Sequence, residues 1–179
     1  NQLDERVIHS LKTQNAPIDI YGVGTRLVTG HTSPALDGVY KLNSVSGEPK
    51  LKISENIEKI TLPGNKKVYR YCNDDGTFYG DAILFDDENV IERMHHPTFP
   101  AKKSELTSRT YEELLKPVIK QGNIVSEMSD VQKIADYAKK RLSLLHPEYK
   151  RLENPHIYKV GISTKLMEKR DVLLKLFKY

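Results

Sequence analysis

The sequence predicts a fold of the α/β class, which is α+β within the chain itself, on three observations. At the N-terminal end, a helical pattern is followed closely by an apolar strand pattern. Five short runs rich in Val, Ile, Tyr and Phe then occupy the middle, and helical periodicity dominates the C-terminal third. A helix joined to a strand is typical of α/β proteins, whereas short strands in succession favour an antiparallel sheet.

The first residues predict a helix and then a buried strand. Within residues 3–14, Leu3, Val7, Ile8 and Leu11 share one helical face. The tripeptide NAP ends this helix, and an apolar run follows it after a short link. The strand residues are Ile18, Ile20 and Val23.

The middle of the chain predicts an antiparallel β meander. Its runs are GVYKLNSV, KLKIS, KKVYRYC, TFYGDAILF and NVIERM. The segments between them are rich in Gly, Pro, Asn and Asp, which favour tight turns. Residues 95–110 show no clear period, and we expect them to cross the surface.

From Tyr111 to the end we predict a helical region. The stretch SDVQKIADYAKKRLSLL begins at Ser129 or Asp130 as N-cap, and Pro147 lies beyond its end. Its apolar face comprises Val131, Ile134, Ala135, Ala138, Leu142 and Leu145. A last helix follows Ser163. Its inward-facing residues are predicted to be Leu166, Leu173, Leu174 and Phe177.

Composition limits the class of protein. No apolar run approaches the roughly 18 residues that a membrane-spanning helix requires, so we expect no membrane partner. The single Cys72 excludes an internal disulfide and a cysteine-based zinc site, and it favours a reducing, cytoplasmic setting. Because the chain starts at Asn1 without a leader, we expect a fragment or the ordered part of a longer protein.

Charge is unevenly distributed along the chain. Residues 1–90 carry 10 Lys and Arg against 13 Asp and Glu, whereas residues 91–179 carry 18 against 11. A basic end is one feature of proteins that bind nucleic acid or anionic substrates. Its lysines, however, fall among acidic residues without interleaved aromatic platforms. A solvated helical surface is the simpler interpretation, and we expect no nucleic-acid partner.

The stretch APIDIYGVGTRLVTG contains the most suggestive motif, Gly22-Val23-Gly24-Thr25. Glycines tolerate positive φ and allow an oxyanion to approach the backbone closely, and a threonine adds a hydroxyl donor. The spacing matches neither a dinucleotide-binding fingerprint nor a Walker loop, and we expect no helix after it. From the residues alone, both a phosphate loop and a structural turn remain open.

Four motifs in order resemble the C-terminal part of the nicotinate phosphoribosyltransferase family. The first is LDERVIHSLKTQNAPIDIYGVGTRLVTG, and PALDGVYKL follows it. The third, KLKISENIEKITLPGNKKVYR, is similar to a Lys…Glu-Lys…Thr-x-Pro-Gly-x-Lys pattern, and LSLLHPEYKRLENPHIYKVGIS resembles the closing Pro-Glu-x-x-Arg-Leu segment. The resemblance covers nearly all of residues 2–165.

This resemblance implies an enzyme of NAD salvage. Nicotinate and 5-phosphoribosyl 1-pyrophosphate would give nicotinate mononucleotide and pyrophosphate, with ATP hydrolysis driving the reaction and Mg²⁺ accompanying the pyrophosphate. The implied fold is the last part of a phosphoribosyltransferase-type α/β barrel in residues 1–38. An antiparallel β-rich region would follow in residues 39–110 and a helical region in residues 111–179.

The resemblance also implies where the site lies. Gly22, Val23, Gly24 and Thr25 fall where the family binds the ribose 5-phosphate, and Arg26 beside them is a candidate phosphate contact. The catalytic and nicotinate-binding residues of the family lie earlier in the chain, so they stay unknown here. We therefore expect this polypeptide alone to be inactive. The expected partners are the N-terminal remainder of the enzyme and a second copy in a homodimer.

Two alternatives remain at the level of the sequence. One is a related phosphoribosyltransferase that uses nicotinamide or quinolinate, and the other is a non-catalytic β-rich interaction module. His31 is interpreted as a loop histidine, and the pair His95-His96 as surface histidines without a third metal ligand. Asp74 and Asp75 are expected in a hairpin turn, and the acids at residues 86–88 in another turn.

Overall fold

A computed structural model of the chain describes residues 2–35, 38–127 and 129–177. The chain divides into two compact units. The first comprises Asn1–Tyr40 with Arg151–Pro155, and the second comprises Lys41–Lys150 with His156–Tyr179. The division into three functional regions stays a prediction from the sequence.

The described residues of the first unit form two helices, α1 (Glu5–Thr13) and α2 (Thr25–Val28). The predicted N-terminal helix is thus confirmed, with Asp4 as its N-cap. The Asp4 carboxylate accepts a hydrogen bond of 2.9 Å from the Val7 N–H, which satisfies one of the free amides of the first turn.

The predicted strand at residues 18–23 is wrong. No strand forms there, and the Ile20 side chain is 89% exposed. An extended segment becomes a strand only when a neighbouring strand supplies hydrogen-bond partners, and none lies beside it in the described part of the chain. Residues 18–23 therefore have the apolar pattern of a buried strand but do not pair into a sheet.

The second unit is built on a six-stranded sheet of strand order β6-β5-β10-β4-β3-β7, and two separate hairpins pair β1 with β2 and β8 with β9. The strands are β1 (Ser44–Val45), β2 (Glu48–Pro49), β3 (Lys66–Cys72), β4 (Phe78–Phe85), β5 (Arg93–His95), β6 (Lys103–Glu105), β7 (Tyr111–Glu113), β8 (Ile119–Lys120), β9 (Asn123–Ile124) and β10 (Val160–Ile162).

The sheet is mixed, which corrects the predicted antiparallel meander. The β3–β4 hairpin is as predicted, but β10 inserts between β4 and β5 and runs parallel to β4. The segment KLKIS forms no strand. Short runs such as VGI carry too few residues to indicate a strand, and only the tertiary fold supplies their partners.

The helical region predicted from Tyr111 begins later than expected. Residues 111–113 form a strand, and β8 and β9 form a hairpin closed by Gln121 and Gly122. Both turn residues have positive φ, of 50° and 79°, as in the turns that match the twist of two-residue hairpins. β-Branched residues around a glycine turn thus override a helical interpretation here.

The two C-terminal helices are confirmed, α3 (Val131–Ser143) with Asp130 as N-cap and α4 (Thr164–Leu176) with Ser163 as N-cap. Leu166 of α4 is fully buried as predicted, but Phe177 is 59% exposed, so its predicted inward position is wrong. The apolar face of α3 is largely exposed, because the second unit offers it little surface to cover. None of the described helices is long and apolar enough to cross a membrane.

The core lies on the sheet in two clusters. One comprises Tyr69, Tyr71, Ala82, Leu84, Met94 and Leu106. The other comprises Phe85, Ile162 and Leu166, where α4 covers β4 and β10. Gly161 of β10 allows Met94 of the first cluster to pack closely on it, since a Cβ there would lie 2.7 Å from the Met94 Cγ.

The LPGNK segment forms a packed turn before β3. Gly64 has φ +73°, and a Cβ there would lie 2.6 Å from the Phe85 Cε1. The Lys66 Nζ donates to the carbonyls of Leu62, at 2.9 Å, and of Gly64, and burial lowers the pKa of Lys66. This motif therefore has a structural role in the second unit.

Candidate functional site

The glycine loop opens a short helix. Gly24 precedes α2, and its carbonyl accepts hydrogen bonds from the amides of Leu27 at 3.0 Å and Val28 at 3.1 Å. The expectation that no helix follows the loop is therefore wrong. A helix of four residues is too short to show the periodicity from which helices are predicted.

Packing does not require glycine in this loop. A Cβ built at Gly22 or at Gly24 would meet nothing within 4 Å, and both residues are exposed. Thr25 is also exposed, whereas Val23 is half-buried. The backbone of the loop is thus open to a molecule that approaches from solvent.

Arg26 is held beside the loop by a buried aspartate. Its Nη1 contacts the Asp4 Oδ2, and Asp4 is only 9% exposed. The Val7 N–H and the Arg26 guanidinium together hold the pKa of Asp4 below its usual range. The N-cap of α1 therefore also orients the one predicted cationic contact of the loop.

Sequence reasoning did not identify Asp4 as part of this site. Asp4 and Arg26 are 22 positions apart. An aspartate at an N-cap gives no indication of a distant arginine, so only the structure reveals the pair.

The three histidines considered in the sequence analysis lie in different units. His31 is exposed, and His95 and His96 are half-buried on the second unit. Within residues 2–35, 38–127 and 129–177, no group of three or more His, Cys, Asp or Glu could hold a metal ion.

The acidic turns are confirmed, and two of their carboxylates accept hydrogen bonds that stabilise the neighbouring structure. Asp75 accepts from the N–H and the hydroxyl of Thr77 in the β3–β4 turn, at 2.9 and 2.6 Å. Glu88 accepts from the Phe85 N–H at 2.8 Å and from the Ser163 hydroxyl at 2.7 Å, which joins the turn after β4 to the N-cap of α4.

The second unit contains a buried ionic cluster that the sequence did not indicate. Asp81 on β4 accepts from the Arg70 Nε at 2.8 Å and Nη2 at 2.7 Å, and from the Tyr158 hydroxyl at 3.0 Å. The Arg70 guanidinium also stacks 4.5 Å from the centre of the Phe78 ring. Because all these groups are paired, the cluster is a structural one.

The chain is similar to proteins of one family over almost its whole length. Residues 65–170, more than half of the chain, match the family described as "Nicotinate phosphoribosyltransferase C-terminal domain". The chain is 38% identical over 172 residues to the nicotinate phosphoribosyltransferase of Bacillus subtilis (strain 168), covering 91% of this chain and 35% of that protein.

The chain is also similar to a human enzyme and to a human crystal structure. The chain is 32% identical over 170 residues to the nicotinate phosphoribosyltransferase of Homo sapiens, covering 93% of this chain and 32% of that protein. The crystal structure of human nicotinic acid phosphoribosyltransferase matches with a TM-score of 0.72 and 26% identity, covering 97% of this chain and 32% of that one. The chain thus spans about a third of the length of these relatives.

Proposed function

The chain belongs to the nicotinate phosphoribosyltransferase family, and we propose that it supplies the C-terminal part of an enzyme with that activity. The reaction joins nicotinate to 5-phosphoribosyl 1-pyrophosphate, releases nicotinate mononucleotide and pyrophosphate, and uses ATP hydrolysis in NAD salvage. The observation that carries the proposal is the match of residues 65–170 to the C-terminal domain of this family.

We assign the ribose 5-phosphate to the loop of Gly22, Val23, Gly24 and Thr25. Support comes from the exposed glycines, which leave the backbone open, and from the position of Gly24 directly before α2. The first amides of a helix have no intrahelical acceptor and can donate to a phosphate oxygen. In this proposal the Thr25 hydroxyl adds a further donor.

Arg26 is proposed to contact the same phosphate while Asp4 positions it. Asp4 occupies Nη1, and the planar guanidinium has further N–H groups that suit phosphate oxygens. A fixed partner reduces the rotamer entropy that a free arginine would lose on binding. Arg26 then binds phosphate through a pre-oriented side chain.

The chemistry of the reaction suits such a loop. Displacement at the anomeric carbon passes through a cationic sugar, and the enzyme contributes chiefly by positioning and electrostatic stabilisation. In the proposal, the loop anchors the end of the sugar opposite to the breaking bond. Its contacts are then equal in the ground and transition states, so they lower KM and leave the rate at saturation unchanged.

The remaining chemistry is proposed to lie in the N-terminal remainder of the enzyme. Among the described residues, no group of three or more His, Cys, Asp or Glu could hold a metal ion. We propose that ATP, Mg²⁺ and nicotinate are bound by that remainder and that this polypeptide alone is inactive. A cytoplasmic homodimer is proposed on the family resemblance, and the unpaired Cys72 fits a reducing compartment.

A competition assay on the full-length parent enzyme tests the activity. The enzyme receives 5-phosphoribosyl 1-pyrophosphate, Mg²⁺ and ATP with equal nicotinate and nicotinamide, and the products are separated by chromatography. We expect nicotinate mononucleotide as the dominant product. Nicotinamide mononucleotide, or no nucleotide from a folded enzyme, would contradict the proposal.

Substitutions in the loop test its role separately. In the full-length enzyme, Gly24→Val should raise the KM for the phosphoribosyl donor sharply, since a side chain would block the open backbone. Thr25→Ala should raise that KM at least about tenfold, because a hydrogen bond to a charged group contributes about 1.5–3 kcal/mol.

A matched control comes from the same helix. The Thr29 hydroxyl donates to the Thr25 carbonyl at 2.8 Å, so Thr29→Ala should leave the KM unchanged. Unchanged kinetics in folded Gly24→Val and Thr25→Ala enzymes would remove the loop from the donor site without affecting the assigned activity.

A further inference from the structure

A second concave surface, in the second unit, has the chemistry of an anion-binding site. This basic cleft lies between the β5–β6 hairpin and the segment that leads into β10, and its volume is about 590 Å³. One wall consists of residues 94–97 and 102–104, and the other of residues 157–161. The floor is closed where Met94 packs on Gly161.

The charges of the basic cleft all have one sign. Lys102, Lys103 and Lys159 line it, and none of its lining residues is acidic. Within the described part of the chain these three lysines form no ion pair, whereas Lys165 lies 2.6 Å from Asp87 and Lys50 lies 2.8 Å from Glu48.

Aromatic rings, not carboxylates, neighbour two of these ammonium groups. The Lys159 Nζ lies 4.1 Å from the centre of the Tyr79 ring, and the Lys102 Nζ lies 5.3 Å from that of Phe99. Like charges that gather in a cleft with low-dielectric walls create a positive potential that attracts anions. The basic cleft is thus charged and uncompensated.

His96 contributes a ring N–H donor. Its Nδ1 accepts hydrogen bonds from the amides of Thr98 and Phe99, each at 3.1 Å. Because Nδ1 is an acceptor, the ring proton resides on Nε2, which is then free to donate. His95 is engaged at both nitrogens, with the Pro100 carbonyl at 3.4 Å and the Thr164 hydroxyl at 3.1 Å. The histidine pair therefore suits an anion better than a metal.

The basic cleft also has an apolar wall. Ile157 is 94% exposed and Val160 is 43% exposed, and Pro97 lies on the same cleft. A ligand that covers these side chains would remove apolar surface from water. An inorganic anion has no atoms to do so, whereas an organic phosphate has both parts.

We propose that the basic cleft binds a small organic phosphate. The lysine ammonium groups and the His96 Nε2–H contact its phosphate, and Pro97, Ile157 and Val160 cover its apolar part. Lysine ammonium groups act as point charges for a phosphate dianion. Three of them carry more positive charge than a single carboxylate would balance, which favours a dianion. The basic cleft shares no residue with the glycine loop and does not depend on the activity proposed above.

The test is an amide NMR titration of the 179-residue chain at constant ionic strength. The probes are adenosine monophosphate and, separately, inorganic phosphate. We expect adenosine monophosphate to shift the amides of residues 94–104 and 157–161 and to bind at least several-fold more tightly than inorganic phosphate. Shifts confined to residues 22–27 would report the glycine loop alone and would overturn the proposal.

Charge variants provide the matched comparison. Lys102→Gln with Lys103→Gln should weaken binding of adenosine monophosphate about tenfold, since two neighbouring charges are removed. The control is Lys139→Gln with Lys140→Gln on exposed positions of α3, which changes the net charge equally and should leave the affinity unaltered. Equal weakening by both pairs would indicate unspecific attraction and would reject the site.

A third variant tests the contribution of the organic part of the ligand separately from that of the phosphate. Ile157→Ser should weaken adenosine monophosphate and leave inorganic phosphate unchanged, because only the organic part contacts Ile157. Ile157 is almost fully exposed, so folding is not at risk. If both probes bind equally in the wild-type chain and in this variant, the organic part of the proposal is wrong.

Discussion

Two aspartates are buried in the described part of the chain, and each pairs with an arginine in a different way. Asp81 in the sheet receives two nitrogens of Arg70 and the Tyr158 hydroxyl, and the Arg70 guanidinium stacks on Phe78. Asp4 beside the glycine loop receives one nitrogen of Arg26 and the Val7 N–H. Arg70 contacts its partners through two nitrogens and the face of its guanidinium, whereas Arg26 contacts Asp4 through Nη1.

The glycine of the LPGNK turn differs from the two loop glycines in the same way. Gly64 is enclosed by the Phe85 ring, whereas Gly22 and Gly24 face open space. Packing against Phe85 therefore requires glycine at position 64. At positions 22 and 24 packing leaves the backbone open, which is the condition for a binding loop.

The largest expected effect comes from breaking the enclosed pair. Asp81→Ala leaves Arg70 mostly buried without its partner, which typically costs about 3–5 kcal/mol of unfolding free energy. Urea denaturation followed by circular dichroism measures the loss. Glu48→Ala is the control, since Glu48 pairs with Lys50 at the surface and we expect no measurable change. Equal stability of Asp81→Ala and wild type would show that the cluster is not structural.

The packed turn should be the next most sensitive position. Gly64→Ala combines a positive φ with a Cβ only 2.6 Å from the Phe85 ring, and Phe85 is buried. Backbone strain and overpacking together should cost about 2–4 kcal/mol. Gly47→Ala is matched, because φ is +81° but nothing lies within 4 Å. It should lose only the backbone part, about 1 kcal/mol, and identical losses in both variants would refute the role of Phe85.

The ion pair between Asp4 and Arg26 should be detectable in a titration of the Asp4 carboxyl. The Val7 N–H bond is the larger cause of the lowered pKa of Asp4 and the Arg26 guanidinium a smaller one. In Arg26→Gln, the pKa of Asp4 should therefore rise but stay below the usual value of about 3.9. Carboxyl carbon NMR measures both values, and an unchanged pKa would mean that the ion pair is absent in solution.

The sign of the accompanying pH dependence follows from the lowered pKa. The Asp4 carboxylate stabilises the folded chain fully above its unfolded pKa, and this contribution is lost as pH falls through the lower folded pKa. The stability difference between wild type and Asp4→Asn should therefore shrink below about pH 4.

The smallest effect is expected at the open glycine. Gly24→Ala meets no atom within 4 Å, so its unfolding free energy should change by less than about 0.5 kcal/mol. A large loss in urea denaturation would show that Gly24 is needed for folding. The loop would then resemble the Gly64 turn, and its open backbone would no longer support a binding role.

Features that depend on residues close together in the chain could be predicted from the sequence. Ser129 or Asp130 was predicted as the N-cap of α3, and a last helix was predicted to follow Ser163, because a cap is a contact over three positions. The β3–β4 hairpin followed from two β-rich runs around Asn73–Gly76. The family resemblance rested on motifs in order along the chain, and the matched relatives confirm it.

Features that join residues far apart in the chain could not be predicted from local patterns. The three residues of β10 enter the sheet between β4 and β5, and no local pattern distinguishes them from a loop. Asp4 meets Arg26 across 22 positions, and Asp81 meets Tyr158 across 77. The apolar run at residues 18–23 shows the converse, since its pattern favours a strand but no strand lies beside it in the described ranges. Local propensity depends on the residues of a segment alone, whereas hydrogen-bond partners and burial depend on the fold.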